Sequence, residues 1–307
     1  MVCPLVSVLV LNWNSHRFTA DCIESLRKLS YGNFCIIVID NGSTDGSEII
    51  LRKAFSDLMF IQTGENLGYA DGNNRGIAYS LAQGADYVWI LNNDTRVDPN
   101  SLTALVDALE GNPDAGLAGS KIYSLEEPEI LAYAGGTIDP WRGKILHRGR
   151  GEVDRGHYDR CEPTDFVTGC SLLIRTSIIR QCETLDPRFF LYYEDLDWNL
   201  RIQQAGFQCL YVPESRIWHQ EGGSLGRSIG NKMKPDVVYY IARNSLYFYE
   251  FHLPILQRLS ASTWNLLSQL KTWLLLYVRH DAQFSAYGRA VWQGWSDYVR
   301  RIHGSRK

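Results

Sequence analysis

The sequence predicts an α/β fold: a mainly parallel, mixed sheet flanked by helices, followed by a C-terminal helical extension. Three observations lead there. Apolar runs too uniform for half-exposed strands recur at residues 6–11, 35–39 and 88–91, as strands buried on both faces require. Helix-periodic segments separate them, and strands alternating with helices at this spacing build βαβ units. Each run also stops at short polar residues, Asn12, Asp40 and Asn92 in turn. In an open α/β sheet, ligands bind beyond such carboxyl ends.

Taken in order, residues 6–11 form the first strand, with Asn12, Trp13 and Asn14 at its end. A helix then sets Phe18, Cys22, Leu26 and Leu29 on one face. Residues 35–39 (CIIVI) are the second strand, ending at Asp40; the loop NGSTDGS supplies turn residues and caps, and 48–55 reads as helix. Residues 59–62 are a short third strand, followed by the loop GENLGYADGNNRG and a helix ending near Gly84. Residues 86–91 form a fourth strand that breaks off at Asn92, Asn93 and Asp94. Pro99 opens the next helix, with Asp98 as its N-cap and Gly111 as its stop. A fifth strand falls within 116–123, and from 125 to 163 the pattern fades into loops and short strands. Residues 165–175 read as a strand or strand pair. A helix starts at about Glu194, with Leu196, Leu200 and Gln203 on one side, and Gly206 ends it. Residues 208–212 are a further strand closed by Pro213, and His219, Gly222 and Gly223 follow in a loop.

Composition narrows the class. With 307 residues, 45% of them hydrophobic, the chain can bury one large domain and an appendage. A net charge of −3 argues against nucleic acid as a partner. The seven cysteines are odd in number and contain no C-x-x-C pair, as expected of reduced thiols in a cytoplasmic protein. The N-terminus runs straight into a strand without the pattern of a leader, and no apolar run approaches the ~20 residues of a membrane span. No G-x-G-x-x-G follows the first strand, and neither a Walker loop nor G-x-S-x-G appears.

Several clusters carry chemistry. Asn92, Asn93 and Asp94 place a carboxylate and two amides at a strand end, suited to a hard divalent cation bearing a diphosphate; an Asx-rich turn explains them equally well. Asp40 can accept a hydrogen bond from a nucleobase N–H, or merely close an Asx turn with Asn41 and Ser43. The glycine-rich loop after Gly64 can bring backbone N–H groups to a phosphate at a helix start. Glu194, Asp195 and Asp197 crowd the first turn of a helix, where acids complement the dipole. Close carboxylates also raise one another's pKa, and the preceding FFLYY suits a sugar-binding wall.

Together the blocks VSVLVLNWN, VIDNGSTDGS, NLGYADGNNRG, WILNNDT, TGCSLLIR, FFLYYEDLDWNLRIQQAGF and VPESRIWH resemble family-2 inverting glycosyltransferases of the GT-A fold, in the rhamnosyltransferase branch. The resemblance spans about 5–253, and the order of the blocks makes it specific. It implies a catalytic domain over 1–231 and a helical extension over 232–307. It implies that Asn12, Asn14, Asp40, Asn66, Gly68, Asn73 and Asn93 line the donor. Asp94, His219 and Asn92 would hold Mg²⁺ or Mn²⁺, and Asp195, beside Glu194, would be the base. Many relatives carry Asp where this chain has Asn92, and a neutral amide binds a cation less strongly. The implied donor is a nucleotide sugar, dTDP-rhamnose or a UDP-hexose or UDP-N-acetylhexosamine, and the implied acceptor is a glycan or lipid-linked glycan, with 125–163 forming part of its surface. A sugar-nucleotide-binding protein without catalysis is the competing reading from another class, favoured by Asn92 and opposed by the intact acids and His219.

The tail lies outside these blocks. From residue 254 onward eight Lys/Arg face two Asp, a surplus of +6 that leaves −9 on the rest. Leu256, Leu259, Leu266, Leu267, Leu270 and Leu274 mark one amphipathic helix; Phe284, Tyr287, Val291, Trp292, Trp295 and Val299 mark a second, beside Arg289, Arg300 and Arg301. The pattern fits a peripheral helix on anionic lipid at the inner face of a membrane, and equally helices packed on the catalytic domain or on a second subunit of a homodimer.

Overall fold

The computed structural model describes residues 3–220 and 234–306. Gly222, Gly223 and the boundary expected between 231 and 232 lie outside the described residues.

The first half alternates as expected: β1 (Val6–Asn12), α1 (His16–Leu26), β2 (Phe34–Asp40), α2 (Ser47–Ala54), β3 (Met59–Gln62), α3 (Gly68–Ala82), β4 (Tyr87–Asn92), β5 (Thr95–Val97) and α4 (Ser101–Glu110). Then come β6 (Ala115–Ser124), β7 (Leu131–Tyr133), β8 (Gly136–Asp139), β9 (Lys144–His147), β10 (Glu162–Pro163), β11 (Ser171–Arg175), α5 (Thr176–Cys182), α6 (Glu194–Gln204) and β12 (Gln208–His219). Three helices close the chain: α7 (Pro235–His252), α8 (Ile255–Val278) and α9 (Phe284–Val299). The main sheet runs β10-β12-β6-β11-β4-β1-β2-β3, with β5 on β12 and β7 on β6; β8 and β9 form a separate hairpin. The run β4-β1-β2-β3 is parallel, as is β6-β12, and β11 joins the two sections antiparallel to both neighbours.

Both faces are covered, which explains the unbroken apolar runs. Val8, Val10, Val38, Trp89 and Leu91 point into the core that contains Cys22, Leu51 and Leu105 of α1, α2 and α4. Their neighbours Leu9, Ile37, Ile39, Val88 and Ile90 point the other way, toward Ile77, Ile178 and Ile202 of α3, α5 and α6. Successive strand residues thus feed two different cores.

Four local expectations are corrected. Asp98 does not cap α4: Asn100 holds the N-cap position, and Asp98 Oδ1 accepts the Asn100 N–H in an Asx turn. Only Ser171–Arg175 of the 165–175 stretch is strand. The loop after Gly64 is shorter than its glycines imply, because α3 begins at Gly68 itself. Pro213 does not end β12; the register against β6 shifts between Val212 and Arg216, so the proline sits in a bulge and the strand continues to His219. His219 is therefore fixed at a strand end rather than carried on a loop.

Helix α7 belongs to the same core as the sheet, through Tyr247, Phe248 and Tyr249. It also solves a backbone problem. Phe190, Tyr192 and Tyr193 all have positive φ, at 63°, 66° and 74°, a conformation costing side-chain-bearing residues of order 1–3 kcal/mol each. Buried Asn244 holds this segment: its Nδ2 lies 2.8 Å from each of the carbonyl oxygens of Phe189, Leu191 and Tyr192. Arg243, fully buried, donates through Nε to Asn244 Oδ1 (2.9 Å) and through Nη2 to Phe189 O (3.1 Å). Replacing Asn244 with Ala takes the amide donor from the Leu191 and Tyr192 carbonyls, while Phe189 O keeps Arg243 and the Leu191 N–H, and is expected to cost about 1–3 kcal/mol, read as a lower urea midpoint; a midpoint equal to wild type would show that the segment holds its shape unaided.

Candidate active site

The carboxyl ends of β1, β2 and β4 meet in a polar knot. Asn12 is buried, donating to Asp40 Oδ2 (2.7 Å) and Ser43 Oγ (3.1 Å), while its own Oδ1 accepts from Thr19 Oγ1 (2.7 Å). Asp40 Oδ1 accepts from Ser43 N–H (2.9 Å) and Gln62 Nε2 (3.0 Å). Asn93 donates to the same Thr19 hydroxyl at 2.9 Å. These side chains are spent on one another: Asn12 and Asn93 support the strand ends, and Asp40 closes the Asx turn. Thr19, unremarkable in the α1 pattern, joins two of the strand ends. Asn14 lies at the rim with φ 50°, its Oδ1 accepting from Thr44 N–H at 2.8 Å.

The glycine-rich loop does not offer an open phosphate cradle. Asn66 Oδ1 takes the Gly68 N–H (2.9 Å) and the Asn41 amide (3.1 Å). The first N–H groups of α3 point at a carbonyl: Tyr69 N–H meets Phe190 O at 2.6 Å and Ala70 N–H reaches it at 3.4 Å. Gly68, at φ 79°, is needed because a Cβ there would lie 2.4 Å from that same oxygen. Asn73 lies inside α3, fully buried; its Nδ2 bonds Tyr69 O at 2.9 Å and its Oδ1 has no partner.

The metal candidates do come together. His219 Nε2 lies 3.1 Å from Asp94 Oδ1 and 3.4 Å from Asn92 Nδ2. Asp94 is buried, yet Oδ1 accepts no hydrogen bond, so the imidazole N–H does not aim at it. Burial alone would lower the His219 pKa, but the nearby Cys170 and Asp94 outweigh it and raise it well above the ordinary range. The negative field that favours a proton there favours a cation too. No cluster of three or more His, Cys, Asp or Glu is placed to hold a metal among the described residues. Asp94 and His219 supply one oxygen and one imidazole, a donor set that fits Mg²⁺ or, better, Mn²⁺ when a diphosphate contributes the remaining oxygens.

The carboxylates of α6 divide by environment. Asp195 is half-buried and each oxygen is held by a backbone N–H, Oδ2 by Gly169 and Oδ1 by Leu196, both at 2.8 Å. Burial raises its pKa and these N–H groups hold the rise back. Glu194 is buried, its Oε2 has no partner, and burial followed by the charge of Asp195 pushes its pKa far up. Asp197 faces away into an anchor, accepting from Arg201 Nε and paired with His252 Nε2 on α7, each at 2.8 Å. Residues 168–170 bridge the two centres: Cys170 O accepts the Asn92 N–H at 3.0 Å while Gly169 N–H holds Asp195. Tyr69 steadies the bridge, its hydroxyl donating to Gly169 O at 2.6 Å. The ends of β4 and β12 and the first turn of α6 are therefore tied together through residues 168–170.

Residues 7–181 match the family described as Glycosyl transferase family 2. Among curated proteins, the N-acetylglucosaminyl-diphospho-decaprenol L-rhamnosyltransferase of Mycobacterium tuberculosis is 31% identical over 216 residues, covering 62% of this chain and 68% of the relative. The dTDP-rhamnosyl transferase RfbF of Shigella flexneri is 23% identical over 238 residues, covering 75% and 76%. Among solved structures, a mannosyltransferase from Pyrobaculum calidifontis in complex with GDP-Man and Mn²⁺ superposes with a TM-score of 0.60 at 12% identity, over 97% of this chain and 88% of that one. GalNAc-T7 with UDP, GalNAc and Mn²⁺ superposes at 0.61 and 16% identity over 78% of this chain, which spans only 47% of that protein. The superpositions identify the fold as GT-A. By the extent of the family match and the block order that runs through it, the chain belongs to glycosyl transferase family 2, whose members are inverting transferases.

Proposed function

We propose that the chain transfers rhamnose from dTDP-rhamnose to a hydroxyl of a lipid-linked glycan, with inversion at the anomeric carbon. The observation that carries the reading is the juxtaposition just described: a buried carboxylate oxygen without a hydrogen bond beside an imidazole, and a half-buried carboxylate held by two backbone N–H groups, joined through residues 168–170. The sugar and the lipid-linked acceptor are supported by the names of the two rhamnosyltransferase relatives. A UDP-sugar donor is the second reading, supported by the fold neighbours that carry UDP.

Asp195 takes the proton of the acceptor hydroxyl as its oxygen attacks the anomeric carbon. The bond from that carbon to the diphosphate breaks, and its electron pair leaves with the nucleotide. A single displacement inverts the centre and needs no nucleophile from the protein. Burial makes Asp195 more basic than an exposed aspartate, while Gly169 and Leu196 fix both oxygens. Glu194 lies beside it, buried, with its pKa pushed up by burial and by the charge of Asp195. Asp94, His219 and the side chain of Asn92 would hold a divalent cation, which when bound neutralises charge on the departing diphosphate.

Two outcomes test this. In thermal-shift measurements, dTDP with Mn²⁺ should raise the unfolding temperature more than UDP or GDP, since a ligand binding only the folded state stabilises it; EDTA should remove most of the shift. A larger shift with UDP would move the donor to the second reading. Asp195→Asn should lower kcat about 10²- to 10⁴-fold, read as dTDP release from dTDP-rhamnose, while nucleotide affinity stays within a few-fold of wild type. An unchanged kcat would remove Asp195 from the chemistry; loss of nucleotide affinity together with kcat would make it a structural cap.

A further inference from the structure

Helix α8 is amphipathic in the wrong sense for a water-soluble surface. A surface helix normally turns its apolar stripe to the core. Here the side facing α7 is polar: Asn265 Nδ2 donates to Ser245 Oγ (3.1 Å) and to the Tyr249 hydroxyl (3.3 Å), and Ala261 is the one buried residue of the helix. Leu256, Leu259, Leu267, Leu270, Leu274 and Val278 lie on the opposite side, each between 46% and 67% exposed, with Thr263 the one polar step between Leu259 and Leu267. An exposed apolar stripe of this kind marks an interaction site rather than a solvated face. Helix α9 behaves differently. Ala290 and Gly294 pack it on α7, Asp297 accepts from the Tyr239 hydroxyl at 2.7 Å, and Trp273 of α8 stacks on Phe284 at its start. Of the two readings weighed for the tail, packing on the rest of the chain describes α9.

We infer that the outward stripe of α8 is a docking surface for an anionic lipid bilayer, on which the helix lies in the plane of the interface. Charge decides between lipid and a second copy of the chain. Helix α8 contains no Asp or Glu, Lys271 and Arg279 are exposed beside the stripe, and the segment from 254 onward carries the surplus of +6. A two-fold dimer through this face would set the same basic patch against itself with no acid on the helix to pair it, whereas anionic headgroups supply the missing charge. Exposed Trp264 and Tyr277 add the aromatic rings that settle at a headgroup boundary. Crossing is excluded for this helix: none of the described helices is long and apolar enough to span a membrane. The inference rests on the placement of α8 alone and stands apart from the transfer chemistry.

The test is flotation of the full chain with vesicles of phosphatidylglycerol and phosphatidylethanolamine, against vesicles of phosphatidylcholine alone. Wild type should rise with the anionic vesicles and far less with the neutral ones. The double variant Leu267→Glu, Leu274→Glu should lose about tenfold or more of the bound fraction, with its unfolding midpoint at or above that of wild type. Lys271→Glu with Arg279→Glu, two exposed polar exchanges that leave the core untouched, should abolish the preference for anionic vesicles. The inference is overturned if wild type stays with the vesicle-free fractions. It is equally overturned if both variants float like wild type, or if sedimentation equilibrium shows a dimer that the leucine variant disperses while no form binds vesicles.

Discussion

Three left-handed residues between Phe190 and Tyr193 are the constraint on which the site depends. That backbone does not persist by itself, and the chain pins it with one amide, Asn244, aligned by the guanidinium of Arg243. Two consequences radiate from the pin. The carbonyl of Phe190 closes the start of α3, and Tyr193 sets the entry into α6, where Asp195 sits one residue into the helix. The start of α3 and the Asp195 carboxylate are thus held by a helix far along the sequence. The Asp197–His252 pair repeats the tie from α6 to the other end of α7.

The polar knot at the strand ends works by a similar logic. Asn12, Asp40, Ser43, Thr19 and Asn93 satisfy one another in a buried network, and a satisfied network rigidifies its surroundings. Asp94 stands apart from it, with Oδ1 left without a hydrogen bond. Its charge is met instead by the His219 imidazole at 3.1 Å, which sets Asp94 apart from the turn chemistry around it.

Much of the sheet was legible because its central strands are buried on both faces: β1, β2 and β4 differ by one or two residues at their ends, and the partly exposed edge strand β3 matches residue for residue. The elements that escaped depend on distant partners. Gly68 reads as loop in a window of glycines and begins a helix only because Phe190 closes over it. Pro213 reads as a stop and sits in a bulge because β6 continues alongside. The assembly of Asp94 with His219 came from block order rather than periodicity. Asn12, Gly68 and Asn93 have geometric duties that spacing cannot reveal, and Arg243 and Asn244 carried no signal beyond their place in the expected helical extension.

The strand topology has a bearing on when the protein can work. His219 ends β12, the last strand among the described residues, and β12 lies between β10 and β6 and pairs with β5 where that imidazole meets Asp94. The pinning amide, Asn244, follows later still in the chain. The parallel section β3-β2-β1-β4 is therefore translated well before the residues that complete the Asp94–His219 pair and hold the entry into α6, so the arrangement is closed by the part of the chain made after its first strands.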